Sequence, residues 1–164
     1  MALHLAGWNV VLDSDRADEL SAFYERLLGW TRFKGEEYTV LVDLEQTGTP
    51  TWITIQQADD YLPPVWPAAP EEQQQMAHLD FHVADVEEGV KHALSCGASM
   101  SEVQFDDRWR VMLDPAGHPF CILPPIMPWP RAPQDLLHGP HPVFQLAGMG
   151  QGVPGQDFPR PVQQ

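Results

Sequence analysis

The sequence predicts an α+β fold built from two β-α-β-β-β modules, and three observations lead there. Two segments open alike, Ala6 to Asp13 (AGWNVVLD) and His78 to Asp85 (HLDFHVAD), each an apolar strand candidate that ends in an Asp. Each runs into helical spacing that stops at a glycine, Gly29 in the first copy and Gly97 in the second. Three short strand candidates then follow each helix.

The first helix is expected from about Arg16 to Leu28, capped by Asp15 or Ser14, with Leu20, Phe23, Tyr24 and Leu27 forming one apolar stripe. The second begins at Asp85, whose carboxylate can accept backbone N–H groups while Glu88 completes a capping box. Its stripe is Val86, Val90, Ala93 and Leu94. Strands are expected over 31–34, 38–44 and 51–57, then over 99–105, 108–113 and 119–123.

The chain of 164 residues is long enough to bury one core without covalent staples. Its formal charge of −14 would repel phosphate backbones and anionic membrane surfaces, so neither nucleic acid nor membrane is an expected partner. Cys96 and Cys121 are too few for a disulfide framework, and the start of the chain carries neither a basic region nor a long apolar run. A cytoplasmic protein is the expectation.

The organisation read from these patterns is one domain over 1–123, comprising module 1 (about 5–57), a linker (58–76) and module 2 (77–123), with a proline-rich extension over 124–164. Pro63, Pro64, Pro67 and Pro70 exclude a central strand or unbroken helix from the linker, where Trp66 is an aromatic anchor. Ten of the 17 prolines fall in the last 41 residues, together with Trp129 and Phe144. Those aromatic residues lead us to expect the tail to fold back over the body, since they are wasteful in a free segment.

Three stretches carry a likeness to a known superfamily: DSDRADELSAFYERLLGW from Asp13, HLDFHVADV from His78 and DPAGHPFCIL from Asp114. Together they resemble the glyoxalase, bleomycin-resistance and ring-cleaving dioxygenase (vicinal-oxygen-chelate) superfamily, in its glyoxalase-like branch, over about residues 6–123. The resemblance implies that the two modules form a curved mixed-sheet half-barrel with a ligand trough inside and helices outside. It also implies four metal-ligand positions, which carry over to Ala6, a residue near Gln56, His78 and Cys121. Ala6 has no donor atom, and Cys121 stands where metal-using members typically have Glu. A hard divalent ion favours imidazole and carboxylate, whereas thiolate favours zinc or copper, so the usual metal centre is not expected intact.

His78, Asp80 and His82 alternate along one strand and so share a face. His78 and His82 lie roughly 13 Å apart on a strand, however, so only neighbours two apart can share an ion. His78 is a candidate base or metal ligand, or else a hydrogen-bonded histidine of the interior. Cys121 is a candidate nucleophile with His118 or His78 as its base, or else a small hydrophobe. Trp8, Trp52, Trp66 and Trp109 are candidates for an aromatic wall, and Gln56 can offer an amide in place of a carboxylate.

The first functional reading is a metal-independent small-molecule binding protein, its trough lined by Trp8, Gln56, His78, Asp80, His82, Trp109 and Cys121. The alternative is a superfamily lyase, isomerase or dioxygenase acting on a small oxygenated substrate, with His78 as base or metal ligand, Cys121 as second catalytic candidate, and zinc, manganese, iron or nickel as possible ions. A third class is a scaffold whose tail engages a partner. The family likeness adds the expectation of a homodimer.

Overall fold

The computed structural model describes residues 4–125; the expected tail anchors Trp129 and Phe144, and the docking of the tail, lie outside the described residues. The element order is β1 (Trp8–Ser14), α1 (Ala17–Leu28), β2 (Thr31–Lys34), β3 (Tyr38–Val42) and β4 (Thr51–Gln57). The second module gives β5 (Leu79–His82), α2 (Val86–Cys96), β6 (Ser99–Met100), β7 (Arg110–Leu113) and β8 (Pro119–Leu123). This is the expected α+β arrangement of two β-α-β-β-β modules. Each module carries a four-stranded mixed sheet, ordered β1-β4-β3-β2 and β5-β8-β7-β6, in which the first and last strands pair in parallel.

Both helices form where the apolar stripes predict, except that in α2 the expected stripe residue Leu94 is exposed and Cys96 is buried instead. Leu20, Phe23 and Tyr24 of α1 and Val90 and Ala93 of α2 are buried in one cluster, together with Leu41, Ile53 and Ile55 of the first sheet and Met112, Phe120 and Ile122 of the second. Phe23 bridges the modules, its ring centroid 6.1 Å from that of Phe120. Asp85 caps α2 by accepting the Glu88 N–H at 3.0 Å, while the Glu88 carboxylate pairs with Lys91. At α1 the cap differs from expectation: Arg16 holds the N-cap position without a capping bond from its side chain, and Ser14 Oγ accepts the Arg16 N–H at 2.9 Å. Gly29, at φ 69°, sits in the left-handed region that a side chain would resist.

The expected strand over 99–105 is a correction. The strand is only Ser99–Met100, the Ser101 N–H adds one further backbone bond to the Val111 carbonyl at 3.0 Å, and beyond that the ladder is continued by a side chain. Gln104 donates to the Val111 carbonyl at 3.0 Å and accepts the Val111 N–H at 2.8 Å, so one amide replaces a backbone partner. Gln46 does the same for Thr51 in the first module, at 2.9 and 2.7 Å.

The two sheets differ on the face turned away from the helices. In β8 every residue is buried, because Phe120 and Ile122 face the helices while Cys121 and Leu123 face a second cluster with Trp109, Val111 and the linker residue Trp66. In the first sheet the corresponding face is open: Val11, Phe33 and Tyr38 are about half exposed (49%, 51% and 50%). The linker therefore covers the second sheet. It is pinned there by Tyr61, whose hydroxyl donates to the Ala116 carbonyl at 2.9 Å, while the Val65 N–H donates to Gln73 O at 2.8 Å within the linker itself.

Candidate functional site

The strand periodicity and the β5–β8 register together assemble the site. His78 immediately precedes β5, Asp80 lies two residues on and on the same face, and Asp80 is the register partner of Cys121 across the parallel β5–β8 pair. His78 Nε2 lies 3.3 Å from Asp80 Oδ1. One donor atom from each of His78, Asp80 and Cys121 falls within 4.8 Å of the others, the one such group of metal-ligand types among the described residues. About a third of the His78 and Asp80 side chains is open to solvent (34% and 30%), whereas Cys121 is buried.

An aromatic wall stands over this floor. The Trp66 ring centroid is 6.4 Å from that of His78 and 6.0 Å from that of Phe105, which it meets edge-on at 84°. Phe105 in turn stacks on Trp109 at 6.3 Å and 30°. Among the described residues, Trp66 Nε1 and Gln75 Oε1 are buried with no hydrogen-bond partner. An orphan of this kind costs about 1–3 kcal/mol, so the linker contributes a donor and an acceptor that nothing among the described residues satisfies.

The electrostatics follow from this packing. The hydrogen bond to Asp80 lifts the His78 imidazole above its ordinary value, against the opposing effect of burial. Burial alone would raise the Asp80 carboxyl, but His78, together with Cys121 and the His82 charge, outweighs it and leaves Asp80 below the usual carboxylate value. Burial, then the adjacent Asp80 carboxylate, pushes the Cys121 thiol up to about 12. At neutral pH Cys121 is therefore a thiol, which argues against a nucleophile. Nor is His118 its base: His118 Nδ1 lies 2.9 Å from Asp114 Oδ2 and its Nε2 lies 3.1 Å from the Tyr61 hydroxyl, a network that holds the β7–β8 turn.

Of the sequence candidates, the structure brings together His78, Asp80, Cys121 and Trp109, and leaves three apart. Trp8 shares a strand face with Val10 and Leu12, which pack toward the helices, so it points away from the helix-distal face and is 54% exposed. Gln56 is an exposed residue of the first sheet, paired in register with Asp13 and Tyr38. His82 ends β5 with its Nδ1 2.8 Å from the Pro124 carbonyl oxygen. Sequence reasoning missed Phe105, Val111 and Leu123. Leu123 was within reach, because it is the alternate neighbour of Cys121.

The carry-over of metal positions is also corrected. Seven residues before the N-cap of α2 stands His78, and seven before the N-cap of α1 stands Asn9, not Ala6. Val11 pairs with Thr54 as Asp80 pairs with Cys121, so Thr54 replaces the residue near Gln56. Asn9 Nδ2 donates to Thr54 Oγ1 at 2.9 Å. The first module thus offers an amide and a hydroxyl where a hard divalent ion would need imidazole and carboxylate, and the residues present do not fit that four-ligand centre.

Comparison with known proteins accords with this architecture. No curated protein matches the sequence. Among solved structures, a glyoxalase/bleomycin resistance protein/dioxygenase family enzyme from Burkholderia phytofirmans PsJN shares 16% identity over 73% of this chain and 97% of its own, with a TM-score of 0.53. A mutant of the genomically encoded fosfomycin resistance protein FosX from Listeria monocytogenes, complexed with Mn(II) and 1S,2S-dihydroxypropylphosphonic acid, shares 14% over 77% of this chain and 94% of its own, with a TM-score of 0.55. At such identities the likeness is one of fold. A family profile described as "Glyoxalase-like domain" matches residues 9–123, and the chain belongs to that family.

Proposed function

We propose that this chain binds a small organic molecule against the helix-distal face of its second sheet, and does so without the family's usual metal centre. The observation that carries the reading is the pairing of a half-open polar floor, His78, Asp80 and Cys121, with an aromatic wall of Trp66, Phe105 and Trp109. Flat or cationic groups bind such walls by stacking and cation–π attraction. The unpaired Trp66 N–H favours a ligand that also carries a hydrogen-bond acceptor. Asn9 and Thr54 support the metal-independent part, since neither supplies a charged ligand. The test is to screen ligands by tryptophan fluorescence before and after exhaustive chelation. Binding is expected to survive chelation, and a ligand that binds only the untreated protein would overturn the reading.

A second reading has one specific observation in its favour. The His78–Asp80 pair orients an imidazole at the edge of the trough, an arrangement suited to a general base acting on a small oxygenated substrate in a lyase, isomerase or dioxygenase reaction. Replacing His78 by Gln would abolish turnover under this reading but only weaken binding under the first. The open face of the first sheet, with Val11, Phe33 and Tyr38, supports pairing of two copies, and light scattering at micromolar concentration tests it. No helix of the described residues is long and apolar enough to cross a membrane, and a cytoplasmic location is part of the same reading.

A further inference from the structure

The departure from the family's ligand set leaves a different donor set intact. His78, Asp80 and Cys121 supply one nitrogen, one oxygen and one sulfur within a single strand pair, with no contribution from the first module. Tetrahedral zinc, with bonds of roughly 2.0–2.3 Å, spaces its donors roughly 3.2–3.7 Å apart. The His78 and Asp80 donors already stand 3.3 Å apart, and the three lie within 4.8 Å, so closing on an ion takes side-chain adjustments of about an ångström. Partial exposure of His78 and Asp80 gives the ion a way in and leaves room for a further ligand.

We propose that His78 Nε2, the Asp80 carboxylate and Cys121 Sγ form a three-donor site for a thiophilic divalent ion of the zinc class, selective against manganese and magnesium. Sulfur is what separates the two groups of ions: thiolate binds zinc, cobalt and cadmium strongly, while hard ions prefer oxygen. On binding, the Cys121 S–H bond breaks, an Sγ–metal bond forms and the proton leaves to solvent. His78 takes part as a neutral imidazole, giving its Nε2 lone pair to the ion in place of its contact with Asp80. The fourth position faces away from the two strands, as in zinc sites that keep a place for water or another small ligand.

The full-length protein, stripped by chelation, provides the test. Titration with Co2+ is expected to produce the near-ultraviolet charge-transfer absorption of a thiolate-bound cobalt ion, and one equivalent of Zn2+ should erase it while excess Mg2+ or Mn2+ does not. The Cys121→Ser variant should lose the band, whereas Cys96→Ser, which removes the only other cysteine in the chain, should keep it. The His78→Gln variant should weaken cobalt binding by at least the roughly ten-fold that losing a mere supporting hydrogen bond costs a metal site. Far-ultraviolet circular dichroism of each variant checks the fold, and His78→Gln decides the matter if Cys121→Ser does not fold. A cobalt spectrum without charge transfer, a band that survives in Cys121→Ser, or His78→Gln binding cobalt as well as the parent would overturn the proposal. Organic-ligand binding by the chelated protein is a separate readout, so failure of the ion site and failure of the binding function are distinguishable.

Discussion

The Tyr24 hydroxyl donates to Asp114 Oδ2 at 2.9 Å, joining helix α1 of the first module to the β7–β8 turn of the second. Both groups are buried, and the carboxylate is fully supplied: Oδ1 accepts the backbone N–H groups of Ala116 and His118 at 2.9 and 3.0 Å, while Oδ2 also meets His118 Nδ1. Removing only the hydroxyl, by Tyr24→Phe, leaves that oxygen under-satisfied in a dry interior. The expected cost is about 1–3 kcal/mol, read from the midpoint of urea unfolding at unchanged slope. A variant as stable as the parent would show that the bond does not tie the modules together.

Trp66 is expected to act as the cover of the Cys121 floor. In a Cys96→Ser background, Trp66→Ala should cost about 1–3 kcal/mol of stability through lost apolar burial and should speed modification of Cys121 by a small thiol reagent. An unchanged modification rate would mean that the sheet itself, and not the linker, shields the thiol.

The His78–Asp80 pair has a defined pH signature in metal-free protein. The His78 value is raised, so its contribution to stability is full below the ordinary 6.5 and is lost as pH rises through the folded value. The Asp80 value is lowered, so its contribution is full above 3.8 and is lost as pH falls through the folded value. The pair therefore stabilises most between those two ordinary values, by a small amount because solvent reaches both side chains. An NMR titration of the His78 ring should show a midpoint above 6.5 that falls toward the ordinary value in Asp80→Asn. A midpoint indifferent to that substitution would dissolve the pair as an electrostatic unit.

Much of the fold was legible because its signals are local. The α2 cap at Asp85, the glycine stops and the alternation of β8 are each decided within a few residues. The site was half legible for the same reason, since His78, Asp80 and Cys121 are fixed by strand alternation and one register. What failed was the alignment of the two copies. Matching Asp13 with Asp85 put Ala6 opposite His78, although the true counterpart is Asn9, three positions on. An odd slip on a strand reverses the face, which is why Trp8 was expected in the trough and lies on the other side. The region from Ser101 to Trp109 was illegible for another reason: the Gln104 amide takes the place of a backbone ladder, and no periodicity announces a side chain doing so.

Where a ligand lands decides whether the second sheet is the binding face. Backbone amide NMR of the chelated full-length protein, titrated with the best hit from a fluorescence screen, locates that position residue by residue. The prediction is that shifts concentrate at residues 65–66, 78–82, 105–111 and 121–123, with the Trp66 indole N–H among the largest, and that His78→Gln weakens the response. Shifts confined to the open face of the first sheet, around Val11, Phe33 and Tyr38, with the second sheet unmoved, would contradict it.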